Sequence, residues 1–228
     1  MASRVPVVIA VEGVSDRRAL ELLAHRQGRD LVAEGIEVVP IGGAHAIRRF
    51  VASLNAGTSV RGLCDENEAH IFMRVLDDVH VCVPDLEGEL IRALGVHAVE
   101  AVLSAAGGLP SFRMFQQQPA QRGRAIEAQL HRWLRSSSTR FHRYLALLVE
   151  ALDLGRVPQP LDAVLRKPRS GSSAKRTGGG GLGEPGGSRS VNSTAESRKR
   201  LPSRIDRTLA QLLFDAQQLV VLRHAIGP

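Results

Sequence analysis

The chain has 228 residues, of which 43% are hydrophobic and 4% aromatic, and it carries a formal net charge of +7. This length provides for one domain and a short additional segment, and no apolar run reaches the roughly 18 residues that a membrane-spanning helix needs. The apolar run at residues 5–11 is too short for a secretory signal and leads directly into Glu12, so we expect a cytoplasmic protein.

The first half of the chain alternates apolar runs with helical patterns. The runs predict strands and the spaced apolar positions predict helices. The predicted strands are 5–11, 36–41, 60–64 and 79–83, and the predicted helices are 16–27, 44–54, 85–94 and 96–106. Ser15 is expected to cap the first helix, and Pro84 to lie in the first turn of the helix at 85–94. This alternation predicts an α/β fold with a parallel sheet of about four strands flanked by helices.

The predicted domain spans residues 5–165 and ends in a helical part. A helical pattern covers 122–153, and a proline-containing segment at 157–161 closes the domain. Cys64 and Cys82 fall inside predicted strands, so we interpret them as small core residues rather than a disulfide.

The positive charge is concentrated near the C-terminus. Residues 1–165 contain 18 arginines and 19 acidic residues, whereas residues 166–208 contain 11 Lys/Arg and 3 acidic residues. We expect 166–202, rich in Gly and Ser, to be a disordered linker, because it cannot bury enough apolar surface to fold. Residues 203–226 predict an amphipathic helix that could dock on the domain or on a second copy, as in a homodimer. Such a basic segment is typical of nucleic-acid binding, although a merely solvated linker fits equally well.

Polar side chains with oxygen atoms follow three of the predicted strands at their carboxyl ends. They are Glu12, Asp16, Asp65, Asn67, Asp85 and Glu87. Because ligands bind outside the carboxyl ends of parallel strands, we expect these side chains to converge. Mg²⁺ or Mn²⁺ takes oxygen ligands of this kind, so the pattern predicts a divalent-metal site suited to phosphodiester cleavage.

The individual residues differ in how strongly they indicate a site. Those near helix starts, which are Asp16, Asp85 and Glu87, could simply complement a helix dipole. Glu12 and Asp65 end apolar strands without an evident capping role and are therefore the strongest candidates. The remaining acidic residues of this region are interpreted as solvated loop; they are Glu66, Glu68, Asp77 and Asp78.

Asp65 and Asn67 form a pair within the third cluster. They are two residues apart, so an extended strand end would direct both side chains to the same side.

Four short motifs together resemble a TOPRIM domain, in particular the TOPRIM half of the overcoming-lysogenization-defect (OLD) endonucleases. They are Glu12-Gly13 with Ser15-Asp16, Val39-Pro40-Ile41-Gly42-Gly43, Asp65-x-Asn67 and Asp85-Leu86-Glu87. The resemblance covers about residues 5–165 and implies metal-dependent hydrolysis of DNA with Mg²⁺ or Mn²⁺.

The resemblance also implies roles for individual residues. Glu12 would be a metal ligand or general base with Asp16 beside it. Asp65 and Asn67 would be metal ligands, and Glu87 would be a ligand at a second site.

Three features depart from the family pattern. Neutral Asn67 stands where the family has a second aspartate, and residues 1–165 contain no lysine although the family uses one late in the domain. Arg140 and Arg143 are the candidates to supply its charge, but an arginine cannot donate a proton at neutral pH. The phosphate-loop pattern G-x-x-x-x-G-K-[ST] is absent, so the family's ATPase would come from a separate chain or be unnecessary.

Two functions from different classes therefore stay open. One is a metal-dependent endonuclease; the other is a non-catalytic nucleic-acid or partner-binding module derived from such an enzyme. Asn67 and the missing lysine favour the second. A topoisomerase would need a tyrosine nucleophile, and we expect Tyr144, the single tyrosine, to be packed in a helix. A primase would need basic residues near the acids, for which Arg17 and Arg18 are candidates.

Overall fold

The computed structural model describes residues 6–166. The predicted linker at 166–202, apart from its first residue, and the predicted helix at 203–226 lie outside the described residues. No helix within the described part of the chain is long and apolar enough to cross a membrane.

Four parallel strands form one sheet in residues 6–166, in the spatial order β2-β1-β3-β4. The strands are β1 (Val7–Val11), β2 (Ile36–Pro40), β3 (Ser59–Asp65) and β4 (Val79–Cys82). The central strand β1 is buried at all five positions, as expected for a β-branched run covered on both faces. The predicted α/β fold with a parallel sheet of about four strands is confirmed.

Helices follow each strand and continue after the last one. They are α1 (Val14–Arg26), α2 (Ile47–Ala52), α3 (Ala69–Phe72), α4 (Leu86–Leu94), α5 (Val96–Ala105), α6 (Leu109–Gln116), α7 (Ile126–Arg135), α8 (Ser138–Ala151) and α9 (Gln159–Leu165). Short 3₁₀ turns lie at Ala44–Ala46, Glu66–Glu68, Pro119–Gln121 and Leu154–Arg156.

The two faces of the sheet bury separate cores. Val7, Ile9 and Val11 point into the larger core, which also contains buried residues of α1 and α4 to α9. Ala10, from the same strand, belongs to a smaller core with residues of α2 and α3 such as Phe72. Alternation along β1 thus assigns the helical C-terminal part to one face and α2 and α3 to the other.

Two local expectations were wrong. Gly13, not Ser15, caps α1, and the carboxylate of Asp16, three residues later, accepts the Gly13 N–H at 2.9 Å, as the third helical residue does in a capping box. Asp85 caps α4, accepting the Gly88 N–H at 2.9 Å, so Pro84 precedes that helix.

The helical pattern predicted at 122–153 corresponds to two helices, α7 and α8. The chain breaks between α7 and α8, where Ser137 accepts the Arg140 N–H at 3.3 Å and caps α8. Helices α6 and α9 were not predicted from the sequence.

A cluster of aromatic rings joins α6, α7 and α8. The Trp133 ring lies 5.7 Å from that of Phe112 and 5.6 Å from that of Tyr144, between ring centroids. Tyr144 is 3% exposed, which confirms the expectation that it is packed. Cys64 and Cys82 are buried and free, as expected.

Arg61 connects the sheet to the end of α9. This β3 side chain is 8% exposed, and its Nη1 donates to the carbonyl oxygens of Val164, at 2.9 Å, and Arg166. Its Nε lies 3.2 Å from Asp78 Oδ2, an ion pair without hydrogen-bond geometry. The last carbonyls of a helix lack donors within the helix, so Arg61 satisfies them and fixes the point at which the chain leaves the domain.

Candidate metal centre

The carboxyl ends of β1 and β3 bring Glu12, Asp65 and Glu68 together. One carboxylate oxygen of each lies within 4.8 Å of the other two, and all three residues are half-buried. The strands are adjacent and parallel, with Val11 opposite Leu63, so the residue after β1 lies beside the end of β3. Glu12 Oε1 accepts the Asp65 backbone N–H at 2.9 Å, which holds the Glu12 carboxylate across the two strand ends.

Glu68 reaches this cluster through a turn that the sequence did not predict. β3 ends at Asp65, and Glu66–Glu68 form a 3₁₀ turn in which side chains three residues apart share a side. The expected extension of the strand through Asn67 is therefore wrong, and Asn67 is exposed. The signal that could have identified Glu68 is its spacing of three from Asp65, directly after an apolar strand.

Asp16 and Glu87 lie in the same electrostatic environment. Burial raises the pKa of Asp16 to about 6; the Gly13 N–H opposes this shift, and the charges of Glu12 and Glu87 add to it. Burial also raises the pKa of Glu87, and the charge of Asp85 adds to that shift.

The carboxylates of the cluster itself also resist ionisation. Burial raises the pKa of Asp65 to about 8, with further contributions from the charges of Glu12 and Asp16. Burial raises the pKa of Glu12 as well. The hydrogen bond from the Asp65 N–H acts in the opposite direction, and the charge of Glu68 adds to the rise. Carboxylates that raise one another's pKa form a site that a cation would stabilise, and their hard oxygen donors fit Mg²⁺ or Mn²⁺.

Asp85 has a different environment from the other acids. Its carboxylate is fully buried and accepts hydrogen bonds from Gly88 N–H, from His131 Nε2 at 2.8 Å and from Arg135 Nη1. Burial alone would raise the pKa of Asp85, but the hydrogen bonds from His131 and Gly88 and the charges of His131 and Arg135 outweigh it and hold the pKa below its usual value. Asp85 thus links α7 to the first turn of α4, two residues from Glu87.

The arginines selected from the sequence contact the helical part of the domain. Arg140 donates to the Trp133 carbonyl at 2.7 Å and lies over the Trp133 ring at 4.6 Å. Arg143 donates to the Ala106 carbonyl at 3.2 Å.

His131 and Arg135 reach the acidic residues through Asp85, and the sequence reasoning did not single them out. Their spacing of four on α7 places both on one helix face, but nothing local pointed to Asp85 as their partner.

The metal-free protein is expected to lose stability as the pH rises from about 6.5 to about 8. The pKa of Asp65 is about 8 in the folded chain and roughly 3.9 in an unfolded one. Between these values the folded state holds a proton that the unfolded state releases, so each rise in pH favours unfolding. Melting temperatures measured in EDTA across this range would show the slope.

The Asp65→Asn variant is the control, because it removes the titrating group and should flatten the slope. Saturating Mg²⁺ should also flatten it in the unaltered protein, since a metal stabilises the ionised carboxylates. An identical pH dependence in the variant and the unaltered protein would contradict this assignment.

The chain is similar to known proteins in one segment of its sequence and in its fold. Residues 6–65 match the family model described as overcoming lysogenization defect protein-like, TOPRIM domain. The C-terminal region of the Burkholderia pseudomallei OLD protein superimposes with a TM-score of 0.49 and 15% identity, covering 71% of this chain and 98% of that one. The C-terminal region of the Xanthomonas campestris pv. campestris OLD protein superimposes with a TM-score of 0.47 and 17% identity, covering 69% of this chain and 91% of that one. No curated protein matches this chain.

Proposed function

We propose that this chain, whose residues 6–65 carry an OLD-like TOPRIM domain, is a divalent-metal-dependent endonuclease that hydrolyses phosphodiester bonds of DNA. One observation carries the proposal: three carboxylates from two strand ends and a turn place oxygen atoms within 4.8 Å of one another. Two of the three, Glu12 and Asp65, lie within the segment that matches the TOPRIM model.

Glu12, Asp65 and Glu68 would hold the first cation. A bound divalent cation lowers the pKa of a coordinated water and stabilises charge on a phosphate. The Asp65 N–H engages Oε1 of Glu12 and so orients this carboxylate before a cation arrives. Asp16 and Glu87 add two half-buried carboxylates, and we propose them as ligands for a second cation.

The other candidate residues from the sequence are also proposed, and each could act only under a condition of its own. Asn67 is exposed on the 3₁₀ turn and would bind through a neutral oxygen. Asp85 would have to exchange its bonds to His131 and Arg135 for a cation. Arg140 or Arg143 would supply positive charge to the phosphate only after leaving its present carbonyl partner.

The test is a nicking assay on supercoiled plasmid with the purified full chain. We expect open circular DNA with Mg²⁺ or Mn²⁺ and none with EDTA. The assay should be repeated with ATP and any ATPase that copurifies from the source cell, because we propose that such an activity resides in a separate chain. Absence of nicking under all of these conditions would overturn the proposal.

The second candidate function is a non-catalytic module that binds nucleic acid or a protein partner. The observation in its favour is the absence of lysine from residues 1–165 together with Asn67 at the position of a family aspartate. DNA binding that falls steeply with salt, without nicking under either metal, would support this alternative.

A further inference from the structure

A groove runs along the helical part of the domain, between α6 and the connection from α7 to α8. It consists of two adjoining hollows of about 440 Å³ each, which share Phe115 and Ser136 as lining residues. Met114, which is 65% exposed, contributes to the second hollow. The groove thus offers an open path with an apolar wall on α6.

The groove carries net positive charge, although one of its arginines, Arg135, is paired with Asp85 behind the lining. Arg132 and Arg135 line the first hollow and Arg140 lines the second, and no acidic residue lines either. Arg132 is exposed. Its backbone carbonyl accepts the Ser136 N–H at 3.0 Å, but its guanidinium makes no hydrogen bond or ion pair within the described range 6–166. Residues 122–143 contain six arginines and two histidines against one acidic residue, Glu127.

The groove is connected to the acidic strand ends through a buried contact. Arg135 and His131 line the first hollow and at the same time bind the Asp85 carboxylate. Asp85 stands two residues before Glu87 in the first turn of α4. Asp85 thus connects two residues of the groove to the helix that carries Glu87.

We propose that this groove binds a single strand of DNA, with its phosphates at Arg132 and Arg135 and its bases against Phe115 and Met114. The inference rests on the proposed function and states where that site holds its substrate. The carboxylates repel a phosphodiester, so most of the affinity has to come from a surface of opposite charge. Guanidinium groups bind phosphate through paired hydrogen bonds, and exposed apolar and aromatic side chains favour base stacking.

The test compares Arg132→Gln with the unaltered full chain in binding a fluorescently labelled single-stranded oligonucleotide. Anisotropy is measured in EDTA over a range of salt concentrations, so that cleavage does not contribute. We expect the dissociation constant to rise about tenfold, as for loss of a hydrogen bond between charged groups, and the salt slope to fall by about one. Arg132→Lys should recover part of the affinity, because the charge is retained.

Arg74→Gln is the matched control. Arg74 is exposed just after α3, on the opposite face of the sheet from the groove, and its loss should leave affinity and slope unchanged. Equal binding by Arg132→Gln, Arg74→Gln and the unaltered chain would overturn the groove proposal. So would an equal loss in both variants, since any surface arginine would then suffice.

The nicking assay separates this inference from the proposed function. Metal-dependent nicking by the unaltered chain, with normal binding by Arg132→Gln, would leave the nuclease intact and overturn the groove. Weakened binding by Arg132→Gln, together with no nicking by the unaltered chain under any condition, would support the groove as a binding surface and overturn the nuclease.

Discussion

Replacing Glu12 by Gln is expected to abolish metal-dependent nicking, with a rate loss of at least about 100-fold. The glutamine retains the size of the side chain and an oxygen that can accept the Asp65 N–H, now 2.9 Å from Glu12 Oε1. It removes the negative charge that would hold the cation. A catalytic metal stabilises the transition state by several kcal/mol, and each loss of about 1.4 kcal/mol slows the reaction tenfold. The measurement is the initial rate of plasmid nicking in Mg²⁺ and in Mn²⁺.

Two substitutions of the same type serve as controls. Glu37→Gln lies on the exposed side of β2, and Glu66→Gln is exposed next to Asp65; both should nick DNA at the normal rate. Asp65→Asn should match Glu12→Gln. Undiminished nicking by Glu12→Gln, with far-UV circular dichroism unchanged, would show that the chemistry occurs elsewhere.

Replacing Trp133 by Ala is expected to lower the free energy of unfolding by about 3–5 kcal/mol. Trp133 is 2% exposed and packs between Phe112 on α6 and Tyr144 on α8, so its removal leaves a cavity where three helices meet. Urea denaturation followed by far-UV circular dichroism measures the loss without relying on tryptophan fluorescence.

Ile126→Ala is the control on the same helix. Ile126 is 42% exposed at the start of α7, so its truncation should cost less than about 1 kcal/mol. Trp133→Phe should recover part of the stability, because it keeps a ring at the contact. Similar losses for Trp133→Ala and Ile126→Ala would mean that the aromatic cluster does not stabilise the domain.

The fold and the first two site residues were predictable because their signals are local. The apolar run at 5–11 and the more mixed run at 60–64 predict strands, and the residue after a strand lies at the carboxyl edge of a parallel sheet. This is why Glu12 and Asp65 could be placed together before any coordinates, although 53 residues separate them. The cap of α1 was less predictable, since Gly13 has no side chain to mark it as a cap, and its N–H is accepted by Asp16, three residues later.

Local sequence could not determine the partners of Asp85. Its bonds to His131 and Arg135 span 46 and 50 residues, and they form only because α7 packs against α4. The same acid at a helix start would be free to bind a cation if α7 lay elsewhere. The sequence pattern therefore made Asp85 equivalent to Glu87. The packing distinguishes them, because the Asp85 carboxylate binds His131 and Arg135 and the Glu87 carboxylate does not.

The sequence by itself determined that this chain forms a parallel α/β sheet with carboxylates at its carboxyl edge, because strand pattern and charge position are both properties of neighbouring residues. Only the tertiary structure decided that Glu68 lies close to Glu12 and Asp65, and that basic residues of α7 line a groove. Those outcomes depend on one 3₁₀ turn and on contacts between distant helices, whose energies differ too little from those of the alternatives to be visible in a local pattern.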